Sequence, residues 1–182
     1  MKKIIIIAAA LVSFNTAANA QAANSSASQA VNLNLANAID VTFTGSGTAT
    51  GAAVNLAFNT VSDYANGVQS TAQEMKVRSN KNFKVSVKTN ATNFSYTGST
   101  TPTPSMPVAS VLDLKVASNS TGGSIGSGFS SYKSLSTTNQ DIITNATAGG
   151  NNLFSVQYEA QPGFTYPAGT YTVDVVYTAT QL

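Results

Sequence analysis

The acids available for chemistry are Asp40, Asp63, Glu74, Asp113, Asp141, Glu159 and Asp174. A glycoside-hydrolysing pair needs two carboxyls facing each other across a cleft, one to donate a proton and one to attack or activate water. Glu159 and Asp174 are the pair whose strands could be neighbours. Both fall out of phase with the apolar residues around them, so both are expected to point to solvent. No Ser–x–x–Lys spacing is singled out among the 22 serines. With no His and no Cys in the chain, there is no imidazole base, thiolate nucleophile, thiolate or imidazole metal site, or disulfide. No run of alternating Asp and Asn marks a calcium loop. The expectation is a protein that is not an enzyme and carries no cofactor or metal.

The bases are more suggestive. Lys76, Arg78, Lys81, Lys84 and Lys88 lie within 13 residues. Lys76 and Arg78 alternate with Met75 and Val77. Lys84 and Lys88 alternate with Phe83, Val85 and Val87. That pattern predicts a hairpin turning at 79–82 with a basic outer face. Such a face serves as a charged guard against edge-to-edge aggregation, or as an anion-facing patch for a surface glycan or a partner subunit. Tyr158, Phe164, Tyr166 and Tyr171 form an aromatic group suited to core or turn packing, with sugar stacking as the alternative.

The first 20 residues read as a secretory signal peptide. Lys2 and Lys3 precede an apolar stretch, Ile4 to Phe14, and Ala18-Asn19-Ala20 supplies a small–x–small cleavage site. The stretch is too short to span a bilayer. Two of the nine basic residues fall in this leader. The remainder is formally neutral, with seven bases against seven acids. A nucleic-acid partner is therefore not expected, because that binding needs a basic surface. Ser, Thr and Asn make up 63 of the 182 residues, and charged residues only 9%. A 42% hydrophobic content argues against disorder, which favours low hydrophobicity and high net charge.

The elements that must position these residues are strands. From Val31 to Phe43 the odd positions read Val, Leu, Leu, Asn, Ile, Val, Phe, and the even ones are polar or Ala. This period of two marks strands with one buried face. The run is long for a single strand and predicts two in sequence, broken near Asn37-Ala38. Similar alternation marks Val54/Leu56/Phe58, Met75/Val77, Phe83/Val85/Val87, Phe94/Tyr96, Leu112/Leu114/Val116, Phe154/Val156/Tyr158 and Tyr171/Val173/Val175/Tyr177. Asn66-Gly67 is a hairpin-type dipeptide. Residues 98–107, with Pro102, Pro104 and Pro107, and the Ser/Gly-rich residues 117–131 are expected to be loops, the second of them mobile. No capped helix is expected after the leader. Eight or nine strands without helices predict an all-β fold, an antiparallel immunoglobulin-like sandwich.

The layout of the two ends resembles structural subunits of chaperone–usher fimbriae, most closely the cysteine-free class that includes colonisation-factor pilins. The residues that carry the resemblance are Val31-Asn-Leu-Asn-Leu35 with Ala38-Ile-Asp-Val41, and Ala168-Gly-Thr-Tyr171 before the last strand. It implies a division into signal peptide (1–20), N-terminal extension (21–36) and sandwich (37–182), with the sandwich lacking one strand. It implies that Val31, Leu33 and Leu35, with Ala27 and Gln29 in phase before them, enter the groove of a neighbouring copy by β-augmentation. The partners implied are further copies of the chain, a periplasmic chaperone and an outer-membrane usher, with adhesion, including to a surface glycan, as a further role. The implied location is the cell surface, reached through the periplasm. Two readings stand beside it. One is a self-contained exported sandwich that binds or adheres, with residues 31–35 as its own first strand. The other is a small outer-membrane barrel, whose strands would have to be longer than these alternations.

Overall fold

A computed structural model describes residues 25–182. The expected signal peptide, and residues 21–24 of the expected extension, lie outside the described residues. Residues 25–38 carry no regular secondary structure. The strand expected over residues 31–36 is thus not formed in this chain, and the first strand starts at Ile39. Leu35–Leu182 forms one unit, and its architecture follows.

The elements in chain order are β1 (Ile39–Phe43), α1 (Val61–Asn66), β2 (Val68–Gln69), β3 (Gln73–Ser79), β4 (Phe83–Thr89), β5 (Ser95–Thr97), β6 (Leu112–Asn119), β7 (Ser124–Ile125), β8 (Lys133–Ser134), β9 (Gln140–Ala146), β10 (Gly149–Ala160), β11 (Thr170–Thr172) and β12 (Val175–Gln181). One sheet has the order β1-β3-β10-β6-β8, with β2 pairing on β10. The other has the order β12-β4-β9-β7, and β11 pairs with β5 as a ribbon. Every pairing is antiparallel. The fold is the expected all-β, immunoglobulin-like sandwich.

The alternating residues build its interior. Met75, Val77, Leu114, Val116, Phe154 and Val156 come from one sheet; Phe83, Val85, Val87, Ile143 and Ala146 come from the other. Their β-branched and aromatic side chains suit a pleated, half-buried surface, and the two inner faces close on each other without a disulfide.

Three expectations need correcting. β3 and β4 are not a hairpin, because the short connection at Asn80–Asn82 carries the chain from one sheet to the other. Asn66-Gly67 is not a hairpin turn but the end of a helix, where Gly67 takes φ +79. That helix has a capping box: Thr60 Oγ1 accepts from Asp63 N, and the Asp63 carboxylate accepts from Thr60 N at 2.7 Å. The Thr60 and Asn59 amides, both donating to it, hold the Asp63 carboxyl below the usual carboxylate range. The third correction concerns residues 117–131, which are not simply a mobile loop. They contain the end of β6 and all of β7, and Phe129 is inserted into the core at 1% exposure.

Candidate functional site

The two sheets have unequal edges. β7 and β8, on one side, are two residues long each. On the other side β1 and β12 are terminal strands of five and seven residues, each paired on one side only among the described residues. Long unpaired edges are sites where another strand can add. The inward residues along this seam are Ile39, Val41 and Phe43 on β1, and Val175, Tyr177 and Ala179 on β12. All six are half-buried against the core, not enclosed by it.

The seam closes at one end and opens at the other. At the closed end, Gln181 Nε2 donates to Ala38 O at 3.0 Å. Midway, the Phe43 and Tyr177 rings meet edge to face with centroids 6.1 Å apart. Beyond Phe43 and Val175 lies a cleft of about 840 Å³. One wall is residues 51–58 and the other is residues 166–175; Met106, Leu112, Tyr158 and Ala160 also line it. The wall at 51–58 is a segment without regular secondary structure, outside both sheets, and no main-chain hydrogen bond joins it to either edge. Leu56 and Phe58 pack on the core, while Val54 is exposed. The alternation seen in the sequence here is real, but it yields an unpaired strand-like wall and not a strand of the sheet. Unpaired amides and carbonyls beside apolar floor residues are the two features that receive an added β-strand.

The floor of the sandwich beside the cleft is tied by one polar contact between the sheets. The hydroxyls of Tyr158 on β10 and Tyr177 on β12 are 2.6 Å apart. Burial pushes the Tyr158 phenol up to about 12, and burial together with the Tyr158 neighbour pushes Tyr177 well above its ordinary value. A phenol whose folded pKa is raised contributes stability that is fully present below its unfolded pKa near 10, and loses it as pH rises through the folded value. Stability is therefore expected to fall steeply between about pH 10 and 12. In a Tyr158→Phe/Tyr177→Phe double variant, urea melts across that range should show a shallower fall. An unchanged alkaline slope would refute the role given to this pair.

The three aliphatic residues singled out from the sequence are fully presented to solvent. Val31, Leu33 and Leu35 are 77%, 82% and 87% exposed. Large aliphatic side chains are thus left in water at every second residue of this segment.

The five cations do not share a face. Lys76 and Arg78 stand on β3 and Lys84 and Lys88 on β4, in opposite sheets, with Lys81 in the connection. Arg78 Nε donates to both Asp40 carboxylate oxygens at 3.1 Å and depresses the Asp40 pKa. Lys84 Nζ donates to Asp141 at 3.1 Å.

Most of the acids have local partners too. Asp113 accepts from Ser134, Glu159 from Gln69, and Asp174 from Asn90. Glu159 belongs to β10 in one sheet; Asp174 precedes β12 in the other. Among the described residues, no cluster of three or more acids is placed to hold a metal ion. A Ser–x–x–Lys spacing does occur at Ser130 and Lys133. There the Lys133 ammonium donates to Ser127 O at 2.9 Å and lies 4.7 Å from the Phe129 ring centroid.

The aromatic residues near the C-terminus pack mainly on one another. Tyr171 meets Tyr96 at 4.9 Å, and its hydroxyl donates to Pro167 O; the Tyr96 hydroxyl donates to Ala168 O. Phe164 is the exception. It is 67% exposed and stacks on Tyr64 at 5.5 Å.

Sequence reasoning missed two features of this region. The helix could have been found from Thr60-x-x-Asp63, a capping signature. The unpaired wall at 51–58 had its alternation as a signal, but nothing in the sequence says that it stays outside the sheets. No protein-family model matches the chain, and no curated protein is significantly similar to it.

Proposed function

We propose that this chain is a structural subunit of an extracellular fibre, in which each copy lends Val31, Leu33 and Leu35 to the open seam of the next. The observation that carries the reading is the seam itself. Its apolar floor is half covered, both flanking edges are long and unpaired, and a cleft opens between residues 51–58 and 166–175. What supports a donated strand as the occupant is the match in chemistry. The seam offers apolar positions at every second residue, and the exposed segment 31–35 carries aliphatic side chains at the same period.

A contact of this kind is heterologous, since one copy's extension meets a different surface on the next copy. Such contacts propagate into open filaments when the rotation does not close. Low charge and a surface rich in Ser, Thr and Asn suit a passive extracellular polymer. The leader read from the sequence supports export, and the resemblance to chaperone–usher subunits supports a periplasmic chaperone and an outer-membrane usher as helpers. Before assembly the half-covered seam needs temporary cover, which such a chaperone would provide. The test is electrophoretic. Fibre subunits held by buried strands give ladders in SDS that collapse on boiling. A chain that runs only as a monomer without boiling, from material never heated, contradicts the reading.

A further inference from the structure

The segment that leads into β1 is held by a side-chain clamp. Asn80, in the connection between the sheets, presents both halves of its amide to it. Asn80 Nδ2 donates to Ala36 O at 2.8 Å, and Asn80 Oδ1 accepts from Ala38 N at 2.9 Å. This is the donor–acceptor pair that a neighbouring strand would offer. The main chain adds to it, since Asn80 N donates to Ala38 O at 3.1 Å. From the C-terminal strand, Gln181 Nε2 reaches Ala38 O at 3.0 Å, Asn80 Oδ1 at 2.9 Å and Ser79 Oγ at 3.1 Å. Residues 36–38 are thereby held in line with β1, past the end of its sheet. They lie at the closed end of the seam, while the cleft opens beyond Phe43 at the other end of β1, roughly 17 Å away at the usual strand rise.

The position of the clamp matters because of what the same residues could do if released. A three-residue turn at Ala36-Asn37-Ala38 would fold the extension back along the free edge of its own β1. In that hairpin Leu35 falls opposite Ile39, Leu33 opposite Val41 and Val31 opposite Phe43. Residues opposite one another in an antiparallel pair share a face. All three aliphatics would then point inward, in the register that completes the chain's own seam. A one-residue slip would turn them outward, so the length of this turn is well suited to self-completion. The turn residues are the ones whose backbone groups Asn80 and Gln181 occupy.

We infer that Asn80 and Gln181 are positioning residues that hold the extension straight, so that it serves a second copy and does not complete its own subunit. This rests on the fibre reading above and adds to it a device that selects assembly between chains over closure within one.

The experiment uses the full chain carrying Asn80→Ala and Gln181→Ala, beside the unaltered chain and a V31D/L33D/L35D chain. A fluorescent synthetic peptide of residues 25–38 serves as the probe. Size-exclusion chromatography reads polymer, and fluorescence anisotropy reads peptide uptake. The clamp variant should yield roughly tenfold less polymer, in keeping with the loss of several exposed hydrogen bonds. Its monomer should refuse the peptide and melt above the V31D/L33D/L35D monomer, because its seam is filled from within. Undiminished polymer overturns the inference, and so does a monomer that takes up the peptide as readily as the V31D/L33D/L35D chain does. In both of those outcomes the fibre reading stands. If the unaltered chain makes no polymer and the V31D/L33D/L35D monomer takes up no peptide, the fibre reading fails and the clamp inference fails with it.

Discussion

Replacing Val31, Leu33 and Leu35 together by Asp should abolish the SDS-resistant ladder and leave a folded monomer that melts where the unaltered chain's unassembled monomer does. The two halves of that result come from the same fact. The three side chains are exposed in the single chain, so removing them takes nothing from its own core. In a fibre each would be buried, at about 1.5–3 kcal/mol apiece. Losing all three removes about 5–9 kcal/mol, or roughly three to six orders of magnitude in affinity. The carboxylates add a desolvation cost wherever they replace apolar plugs. Unheated gels and melts of the same preparation give both readings. A variant that still forms the ladder, or one that unfolds, would contradict the account; unfolding would mean that these residues belong to the chain's own core.

The second large effect lies far from the seam. Phe129→Ala is expected to destabilise the sandwich by about 3–5 kcal/mol, the usual cost of removing a buried Phe. That is a large share of the roughly 5–15 kcal/mol that keeps a domain folded. Phe129 sits between β7 and β8, and its carbonyl accepts from Val116 N at 2.8 Å, which ties the connection to β6. The nearby glycines allow this close course. A Cβ on Gly126 would stand 1.8 Å from Asp141 O, so no other residue fits there without moving the backbone. Urea unfolding should show a lower midpoint with little change in slope. A loss under about 1 kcal/mol would mean that residues 117–131 are a loosely attached loop after all.

These two cases show what the sequence could and could not reveal. The sandwich was legible because period-two alternation is a property of single strands, and Met75/Val77, Phe83/Val85/Val87 and Phe154/Val156/Tyr158 each carry it locally. Pairing was less legible. β3 and β4 look like a hairpin because they are close in sequence and similarly patterned. Which sheet a strand joins depends on distant partners, β10 for one and β9 and β12 for the other. Composition misled at residues 117–131, where Gly and Ser suggested a mobile loop although they permit close packing around Phe129. Val31, Leu33 and Leu35 were legible as an alternating run. That no strand forms around them is a matter of which neighbours a single chain supplies. The Asn80–Gln181 clamp left no trace in the sequence, since an Asn in a polar connection and a Gln near the C-terminus have no periodicity to betray them.

The most direct test of the account is a disulfide between copies. The chain has no cysteine of its own, so two engineered ones report without competition. Asn32 and Asn34 flank the aliphatic plugs, and Asn55 stands on the wall at 51–58, out of phase with Leu56 and Phe58. One preparation carries Asn32→Cys or Asn34→Cys and the other Asn55→Cys; they are mixed, assembled and mildly oxidised. Bridging requires the two Cα atoms to come within about 7 Å, which neighbouring strands achieve. The account predicts a covalent dimer joining the two different variants. No mixed dimer from this mixture would contradict it, and so would a bridge that forms inside single chains in a third preparation carrying both Asn34→Cys and Asn55→Cys.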